Sequence, residues 1–325
     1  MFLLIFVSAL GTFGDVPTSD RVRATVESSL VFMQDDADNW MQTLKCATCH
    51  HMPMLVWTAN LARARGFRLD EDVYRASRKL AVEDPRAGKL TAKEGEPTTP
   101  DSFAFSASYA AIASNAVAAS ELSEAARQAR KELRGYLLAT QFPDGSWTKE
   151  APGGRPPILE GPEIATSMTL LALTGWDDAE VVAARQRGRA WLESKPAKSA
   201  QARVLRLLLD VREKADAASI AGQVEALLAS QNADGGWSQT AKLPSDAYAT
   251  GMALFVLQEA GVEPSRPQLT RAVDFLIKTQ TDDGSWPMIS RPNNQGGPGA
   301  RDLRPITYAG TAWATLALLR TLPTK

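Results

Sequence analysis

A repeated segment constrains this chain more than any other feature of its sequence. The segment is a Gln followed six positions later by a Trp, with Asp-Gly between them. It occurs at Gln141–Trp147, Gln231–Trp237 and Gln280–Trp286. A fourth copy, Gln34–Trp40, keeps the spacing but has no Gly, so four of the eight Trp residues share one register. Self-similarity of this kind predicts a fold built from repeated units.

A helix pattern lies on each side of the repeated segment. Upstream of the Gln, apolar residues recur three and four positions apart, as in Leu133, Tyr136 and Leu137, so they share one helix face. Asp-Gly is expected to end this outer helix, because Gly tolerates positive φ and Asp can bond to turn backbone. Downstream, apolar stretches rich in small residues predict inner helices at 164–174, 248–260 and 308–319.

Weaker copies of the pattern extend it to six helix pairs. The predicted pairs span about 22–67, 71–120, 123–176, 179–215, 216–262 and 266–322. Six hairpins can close into a ring, which removes the need for capping repeats, and an open solenoid is the alternative. We therefore predict an all-α fold, a single α/α toroid over residues 22–322, with the helix at 22–34 beside the last pair.

The Gln-x5-Trp segments resemble the QW motif of squalene-hopene and oxidosqualene cyclases, which recurs in looser form in protein prenyltransferase β subunits. The resemblance covers nearly the whole of 22–322 as a repeat pattern. It implies that each Gln ties one outer helix to the next, with the Trp ring stacked against it. These residues would then be scaffold, and they indicate a fold rather than a chemistry.

The catalytic motifs of those families have no counterpart here. The cyclases protonate an alkene with a D-x-D-D aspartic acid that must be kept neutral and dry, and no D-x-D-D occurs. The Asp residues of the repeated segments are expected in solvated turns: Asp35, Asp36, Asp38, Asp282 and Asp283. Prenyltransferases hold zinc with an Asp, a Cys and a His from separate helices, whereas both Cys here lie three residues apart.

One reactive motif stands out, C-x-x-C-H at 46–50, which is the attachment signature of c-type haem. Two thiols at this spacing add to the haem vinyl groups, and the adjacent His binds iron. Cys46 and Cys49 are the chain's only two Cys, and His50 and His51 are its only two His. A Cys46–Cys49 disulfide, a metal site and chance are the alternatives.

The motif is expected at one rim of the ring. Aligning Gly66 with Gly261 places C-x-x-C-H just before an inner helix, with Pro53 in the first turn. Long loops at 86–100, 148–162 and 288–305 are expected on the same face, where function tends to gather. The predicted rim or ligand contacts are His51, Asp246, Tyr248, Tyr308, Arg291, Arg301 and Arg304.

Arginines in these loops suit recognition of the haem propionates through their planar fork, with ordinary solvated charge as the alternative. They are Arg155, Arg291, Arg301 and Arg304. The second axial ligand of the iron stays open, and the freer candidates are Met33, Met41, Met252 and Met288.

Charge and hydropathy limit where the protein acts. Lys and Arg number 36 against 37 Asp and Glu, which provides no broad basic surface for nucleic acid. An apolar run at 2–10 followed by small residues predicts a signal peptide at 1–14, with a buried helix as the alternative. No other stretch is long and apolar enough to span a bilayer. We therefore predict a periplasmic or secreted protein.

The favoured function is an exported toroid with one covalently bound c-type haem, used for redox or hydrophobic-ligand chemistry. Its partner would be a hydrophobic small molecule or a redox protein. The first alternative is a toroid that binds an apolar ligand or a protein and has a structural disulfide. The second is a terpenoid cyclase-like isomerase with an unrecognised acid, for which Asp246, Glu163 and Glu160 are candidates that also suit helix N-termini.

Overall fold

A computed structural model of the chain describes residues 19–44, 50–93, 95, 103–148, 156–158, 161–292 and 302–324. Over these ranges the chain forms twelve α-helices. They are α1 (Ser19–Leu44), α2 (His51–Arg63), α3 (Glu71–Arg78), α4 (Ala104–Asn115), α5 (Glu124–Ala139), α6 (Pro162–Leu173), α7 (Ala179–Glu193), α8 (Ala200–Arg212), α9 (Ala217–Ala229), α10 (Ala247–Glu259), α11 (Pro267–Thr279) and α12 (Arg304–Arg320).

The helices form a closed double ring. Odd-numbered helices make the outer layer and even-numbered helices the inner layer, and each inner helix packs against the next. The series α2, α4, α6, α8, α10 and α12 returns to α2, so the ring is complete and the predicted toroid is confirmed. The six hairpins follow the six predicted pairs. Because the inner helices run in the same direction, their N-termini share one end of the ring, called here the N-terminal rim.

The inner layer is apolar on every side. In α4, α6, α10 and α12 nearly every residue is buried, as expected for helices with neighbours all round. Helices α10 and α12 are in close contact, because a Cβ added at Gly251 would lie 2.5 Å from the backbone nitrogen of Ala314. Among the described residues, no helix has the length and apolar character needed to cross a bilayer.

The repeated segments form one kind of turn between successive outer helices. Nε2 of Gln141 donates to the carbonyl of Gly145 at 3.0 Å within the turn, and to that of Ala184 on α7 at 2.9 Å. Gln231 bonds in the same way to Gly235 and to Gln268 on α11, both at 2.7 Å. The Gln thus ties one outer helix to the next, as predicted.

The third copy of the turn closes the ring. Nε2 of Gln280 donates to the carbonyl of Thr25 on α1 at 2.9 Å, across 255 residues. Gly284, at φ +84°, packs directly on the α1 backbone at Ser28, which excludes any larger side chain. Between the layers, the Thr315 hydroxyl on α12 donates to the Ser29 hydroxyl on α1 at 2.9 Å. The predicted proximity of the 22–34 helix and the last pair is therefore confirmed.

Each Trp of these turns anchors the turn between the two layers. The indole N–H donates to an outer-helix carbonyl ten residues earlier, from Trp147, Trp237 and Trp286 to Leu137, Leu227 and Leu276. The Trp backbone N–H donates to a Thr hydroxyl of the following inner helix, at Thr166, Thr250 and Thr311. All three rings are buried.

The fourth copy does not form this turn. Helix α1 continues through Gln34 and Trp40 to Leu44, and the segment lacks the Gly that takes positive φ in the other three turns. Those three outer helices end at or just before the Gln, and the expectation that Asp-Gly ends them was therefore wrong by several residues. Because α1 continues, Asp35, Asp36 and Asp38 lie on a helix, and the prediction that they lie in a turn was wrong. The Asp36 side chain is only 14% exposed, so it is not solvated either. Gln34 instead accepts a hydrogen bond from the backbone of Asp70, 2.6 Å away.

Candidate functional site

His50 occupies the predicted place at the N-terminal rim. It is the N-cap of the inner helix α2, and Pro53 lies in the first turn of that helix. Asp246 is the N-cap of α10, so it corresponds to His50 in the structure. The alignment of Gly66 with Gly261 pairs Asp246 with His51 and is therefore wrong by one position at this end of the helix. Cys46 and Cys49 lie outside the described residues.

The His50 ring is buried, with 5% of the residue exposed. Its Nε2 lies 2.9 Å from the carbonyl oxygen of Pro305, at the start of α12. Its centroid is 6.3 Å from that of Tyr109 and 6.2 Å from that of Tyr308. His50 is therefore held between three inner helices, namely its own, α4 and α12.

His51 is clamped between two aromatic rings. Its ring stacks on Trp40 at 4.3 Å and on Tyr308 at 4.1 Å, with interplanar angles of 27° and 24°. Its Nε2 lies 3.2 Å from Oδ2 of Asp36, and the Tyr308 hydroxyl donates to the His51 carbonyl at 3.0 Å. Asp36, Trp40, His50, His51 and Tyr308 form what we call the imidazole cluster.

Charges around the imidazole cluster partly offset the cost of burying it. Burial raises the pKa of the Asp36 carboxyl, and the positive charge of Arg304 opposes that rise. Burial also raises the pKa of Tyr308 well above its ordinary value. The Arg304 guanidinium lies 5.6 Å from the centre of the Trp40 ring and forms two hydrogen bonds to Asp302. Arg304 is thus a neighbour of the cluster, whereas Arg301 and Arg155 lie outside the described residues.

A second candidate region is a cavity of about 1250 Å³ around the N-terminal half of α8. Its wall includes residues of α6, α7, α9 and α10, together with the turn at Trp237. Tyr248 lies in this wall and accepts a hydrogen bond from Gln201 at 2.6 Å. Arg291 is also in the wall and donates to Gln239 at 3.1 Å. The predicted rim residues are therefore divided between this cavity and the imidazole cluster.

The candidate acids of the terpenoid alternative have structural partners. The Asp246 carboxylate accepts a hydrogen bond from the backbone N–H of Ala249 at 2.9 Å, which makes it a helix cap. Glu163 forms an ion pair with Arg206 at 2.9 Å and accepts from the backbone N–H of Lys198. Glu160 lies outside the described residues. Over the described ranges, no group of three or more His, Cys, Asp or Glu side chains is arranged to bind a metal ion.

Asp246 should make stability depend on pH. Burial raises its pKa to about 6 in the folded protein, from an ordinary value of 3.8. The folded state then holds this proton more tightly than the unfolded state, so the stabilisation is present below pH 4 and is lost as pH rises through 6. The side chain is partly exposed, and solvent screening therefore makes the effect smaller than the full pKa shift implies. We expect the free energy of unfolding of wild type to fall by about 1–2 kcal/mol relative to that of Asp246→Asn between pH 4 and 7.

This difference can be measured by denaturant unfolding of both proteins at several pH values. Asn keeps the helix cap but does not titrate. Asp216→Asn, at an exposed cap of the outer helix α9, is the matched control. A wild-type and Asp246→Asn difference that is constant from pH 4 to 7 would contradict the raised pKa.

Similarity to known proteins is concentrated in the scaffold. Residues 188–323, from α7 to α12, match the squalene-hopene cyclase C-terminal domain. Over 218 residues the chain is 31% identical to the drimenyl diphosphate synthase of Streptomyces showdoensis, covering 60% of this chain and 37% of the relative. Over 127 residues it is 30% identical to a probable squalene–hopene cyclase of Sinorhizobium fredii (strain NBRC 101917 / NGR234), covering 38% and 19%. The chain thus spans little more than a third of the first relative and a fifth of the second.

Solved structures extend the likeness to the whole ring. The type II terpene cyclase MstE from Scytonema superposes with a TM-score of 0.58 and 15% identity, covering 93% of this chain and 99% of that chain. This chain has the α/α toroid fold of the terpene cyclases. A glycosyl hydrolase family 88 protein from Bacteroides vulgatus has a similar fold, with a TM-score of 0.63, 9% identity and coverage of 94% and 99%. A variant of MstE was solved in complex with geranylgeranyl dihydroxybenzoate as substrate.

Two features of these sites were not predicted from the sequence. Asp36 and Trp40 were not recognised as neighbours of His51, although their spacing of four places both on one face of α1. The available signal was the missing Gly, which lets α1 continue. The cavity was also not predicted. The sequence indicates it only through the short connection between α7 and α8, residues 194–199, which contains no Gln-to-Trp segment.

Proposed function

We propose that this protein is an exported α/α toroid that carries one c-type haem, bound through Cys46, Cys49 and His50. The proposal rests on one observation: the only two Cys of the chain form C-x-x-C-H with a His that caps an inner helix at the N-terminal rim. The apolar run at 2–10 supports export, and c-type haem is attached outside the cytoplasm.

The surroundings of His50 suit a haem ligand after one change. A His that binds a metal commonly donates its other ring N–H to a backbone carbonyl, and the carbonyl of Pro305 is placed to accept it. In the structure this bond uses Nε2, which is the nitrogen that C-x-x-C-H proteins give to iron. Binding to iron would therefore require another side-chain rotamer of His50, in which Nε2 faces the haem and Nδ1 reaches a carbonyl such as that of Pro305. A ring flip alone would not do this, because it exchanges Nδ1 with Cδ2 and Nε2 with Cε1. The two Cys and the His are the donors that haem attachment at C-x-x-C-H requires.

The imidazole cluster has a positioning role in this proposal. The stacking of His51 between Trp40 and Tyr308, and the bond from the Tyr308 hydroxyl to the His51 carbonyl, fix the backbone next to His50. A fixed backbone limits how far the His50 ring can move. Bound haem would supply one-electron transfer, or an iron open to a small ligand.

The test is an absorption spectrum of protein produced with its own N-terminus in a host that matures c-type cytochromes. We expect Soret and α/β bands and a haem that stays attached after denaturation, because thioether links survive unfolding. Cys46→Ala combined with Cys49→Ala should yield colourless protein. Thr48→Ala, which changes a variable position of the same motif, is the matched control and should keep the haem.

Two outcomes would overturn the proposal of a bound haem. Colourless wild-type protein without free thiols would establish the disulfide alternative. Colourless protein with bound zinc would establish a metal site. A structural zinc site needs four ligands, so a fourth donor would have to join Cys46, Cys49 and His50.

A second candidate function is the binding of an apolar ligand, and the cavity around α8 favours it. Its volume of about 1250 Å³ exceeds that of typical pockets for small molecules, and much of its wall is apolar. A type II terpene cyclase of the same fold binds a geranylgeranyl compound, which supports an apolar chain as the ligand class. The two functions use separate residues, so one does not exclude the other.

A further inference from the structure

The fourth pair of helices lacks the buried Trp turn that the third, fifth and sixth pairs place between the layers. Helix α7 ends at Glu193 and α8 begins at Ala200, so only residues 194–199 connect them. The connections after α5, α9 and α11 are longer, and each contains a Trp buried between the layers. The cavity borders this short connection, and residues Lys195 and 197–200 belong to its wall.

The deeper part of the cavity offers an apolar surface. Ile164, Val204 and Met252 line it from three successive inner helices, and all three are buried beneath its surface. Trp191 and Trp237 contribute aromatic rings from the two sides of the outer layer. A wall of this kind suits an apolar chain, because each buried methylene contributes about 0.8 kcal/mol.

The charged residues of the wall are mostly basic. Five are Lys or Arg and two are acidic: Lys195, Lys198, Arg203, Arg206 and Arg291, against Asp144 and Glu163. Glu163 is neutralised by Arg206, and Asp144 accepts hydrogen bonds from the backbone and hydroxyl of Ser146. The Asp144 carboxylate is therefore held within its own turn. With five basic and two acidic residues, the cavity wall carries a net positive charge.

Three of these basic residues come from one short segment, 195–203. Lys195 lies 5.0 Å from the centre of the Trp191 ring. Lys195, Lys198 and Arg203 are exposed, and none of their side chains has a carboxylate partner within the part of the chain that the structure describes. Clustered positive charge beside a concave, low-dielectric wall concentrates anions there. The partial positive charge at the start of α8 has the same sign and adds to the effect.

We propose that the cavity around α8 binds an amphiphile with a phosphate headgroup. The apolar chain occupies the surface lined by Ile164, Val204 and Met252, and the phosphate contacts Lys195, Lys198 and Arg203. A phosphate carries more negative charge than a carboxylate, which three neighbouring cations of one cavity wall favour. The proposal rests on the second candidate function, the binding of an apolar ligand, and adds the headgroup to it.

The probes for this proposal are four C12 amphiphiles below their micelle concentrations, with binding followed by Trp fluorescence and calorimetry. They are dodecyl phosphate, dodecanoate, dodecanol and dodecyltrimethylammonium. We expect dodecyl phosphate to bind about tenfold more tightly than dodecanol at low salt, with the advantage shrinking as salt screens the charges. The cationic probe should bind most weakly.

Two sets of variants locate the site. Lys195→Ala, Lys198→Ala and Arg203→Ala together should bring dodecyl phosphate down to the affinity of dodecanol and leave dodecanol unchanged. The matched control removes three exposed charges elsewhere, Arg68, Lys79 and Lys131, and should change neither affinity. Ala226→Trp, at an exposed position of the wall, should weaken both probes.

The outcomes separate the headgroup from the cavity. Equal affinities for dodecyl phosphate and dodecanol, or a triple variant that binds both like wild type, would overturn the headgroup and leave apolar-ligand binding intact. Dodecanoate binding as tightly as dodecyl phosphate would overturn the phosphate assignment. Failure of all four probes would overturn the apolar-ligand function as well, while the haem spectrum would be unaffected.

Discussion

Trp147→Ala is expected to lower the free energy of unfolding by about 3–5 kcal/mol, the range for deleting a large buried aromatic ring. The Trp147 ring is fully buried, and its indole N–H donates to the carbonyl of Leu137 at 2.6 Å. Gly188 on α7 packs so closely on this ring that an added Cβ would lie 2.7 Å from it. The substitution therefore opens a cavity and removes the indole hydrogen bond from the Leu137 carbonyl, which keeps only the longer bond from the Thr140 hydroxyl at 3.3 Å. Denaturant unfolding measures the loss.

Trp191→Ala is the control for that experiment. The Trp191 ring is half-buried at the cavity wall with Lys195 above it, outside the repeated turns. Its removal should cost much less than that of Trp147. Equal losses for the two variants would mean that the turn Trp residues do not hold the layers together.

Gly251→Ala is expected to destabilise the protein by about 1–3 kcal/mol, the usual range for overpacking a core. The added methyl group would lie 2.5 Å from both the nitrogen of Ala314 and the carbonyl carbon of Trp313. Backbone atoms of a helix cannot move aside as a flexible side chain can, so α10 and α12 must separate. Thermal and denaturant unfolding both report this loss.

Gly222→Ala makes the same chemical change where there is space. Gly222 lies on the outer helix α9, and an added Cβ would have no atom within 4 Å. Ala favours a helix over Gly by up to about 1 kcal/mol, so this variant should be more stable than wild type. A gain in stability for Gly251→Ala as well would show that the two inner helices are not in close contact.

The fold was predictable because its signals are local. Each Gln-to-Trp segment contains a Gly that takes positive φ, at Gly145, Gly235 and Gly284. This Gly forms the turn that follows an outer helix, while the helix itself ends just before the Gln. Apolar periodicity on each side then assigns the layers. The predicted pairs consequently differ from the observed helices by only a few residues at their ends.

The imidazole cluster was only partly predictable, because it is assembled by ring closure. His50 was identified from its motif, and its position at a helix start followed from the alignment of repeats. Its acceptor Pro305 is 255 residues away, and no local pattern pairs them. Asp36 was placed in a turn because the fourth segment was treated like the other three, although its missing Gly already favoured a continuous helix.

The charged residues show the same limit. Arg291 and Arg304 were grouped because both belong to one loop region, yet the structure places Arg291 in the cavity wall and Arg304 beside Trp40. A loop can carry neighbouring residues to different surfaces of a ring. Sequence distance therefore gives little information about which rim residues act together.

The bond from Gln280 to Thr25 has a consequence for the order of folding. Helix α1 leaves the ribosome first, yet its neighbours α11 and α12 are synthesised last. The intervening helix pairs can form from local contacts as they are synthesised. Val26, Leu30 and Met33 of α1 stay partly exposed until the final pair, α11 and α12, packs against them. Completion of the ring must then wait for the longest loop closure in the chain. A nascent chain stalled before residue 280 would expose this apolar face to chaperones and to aggregation.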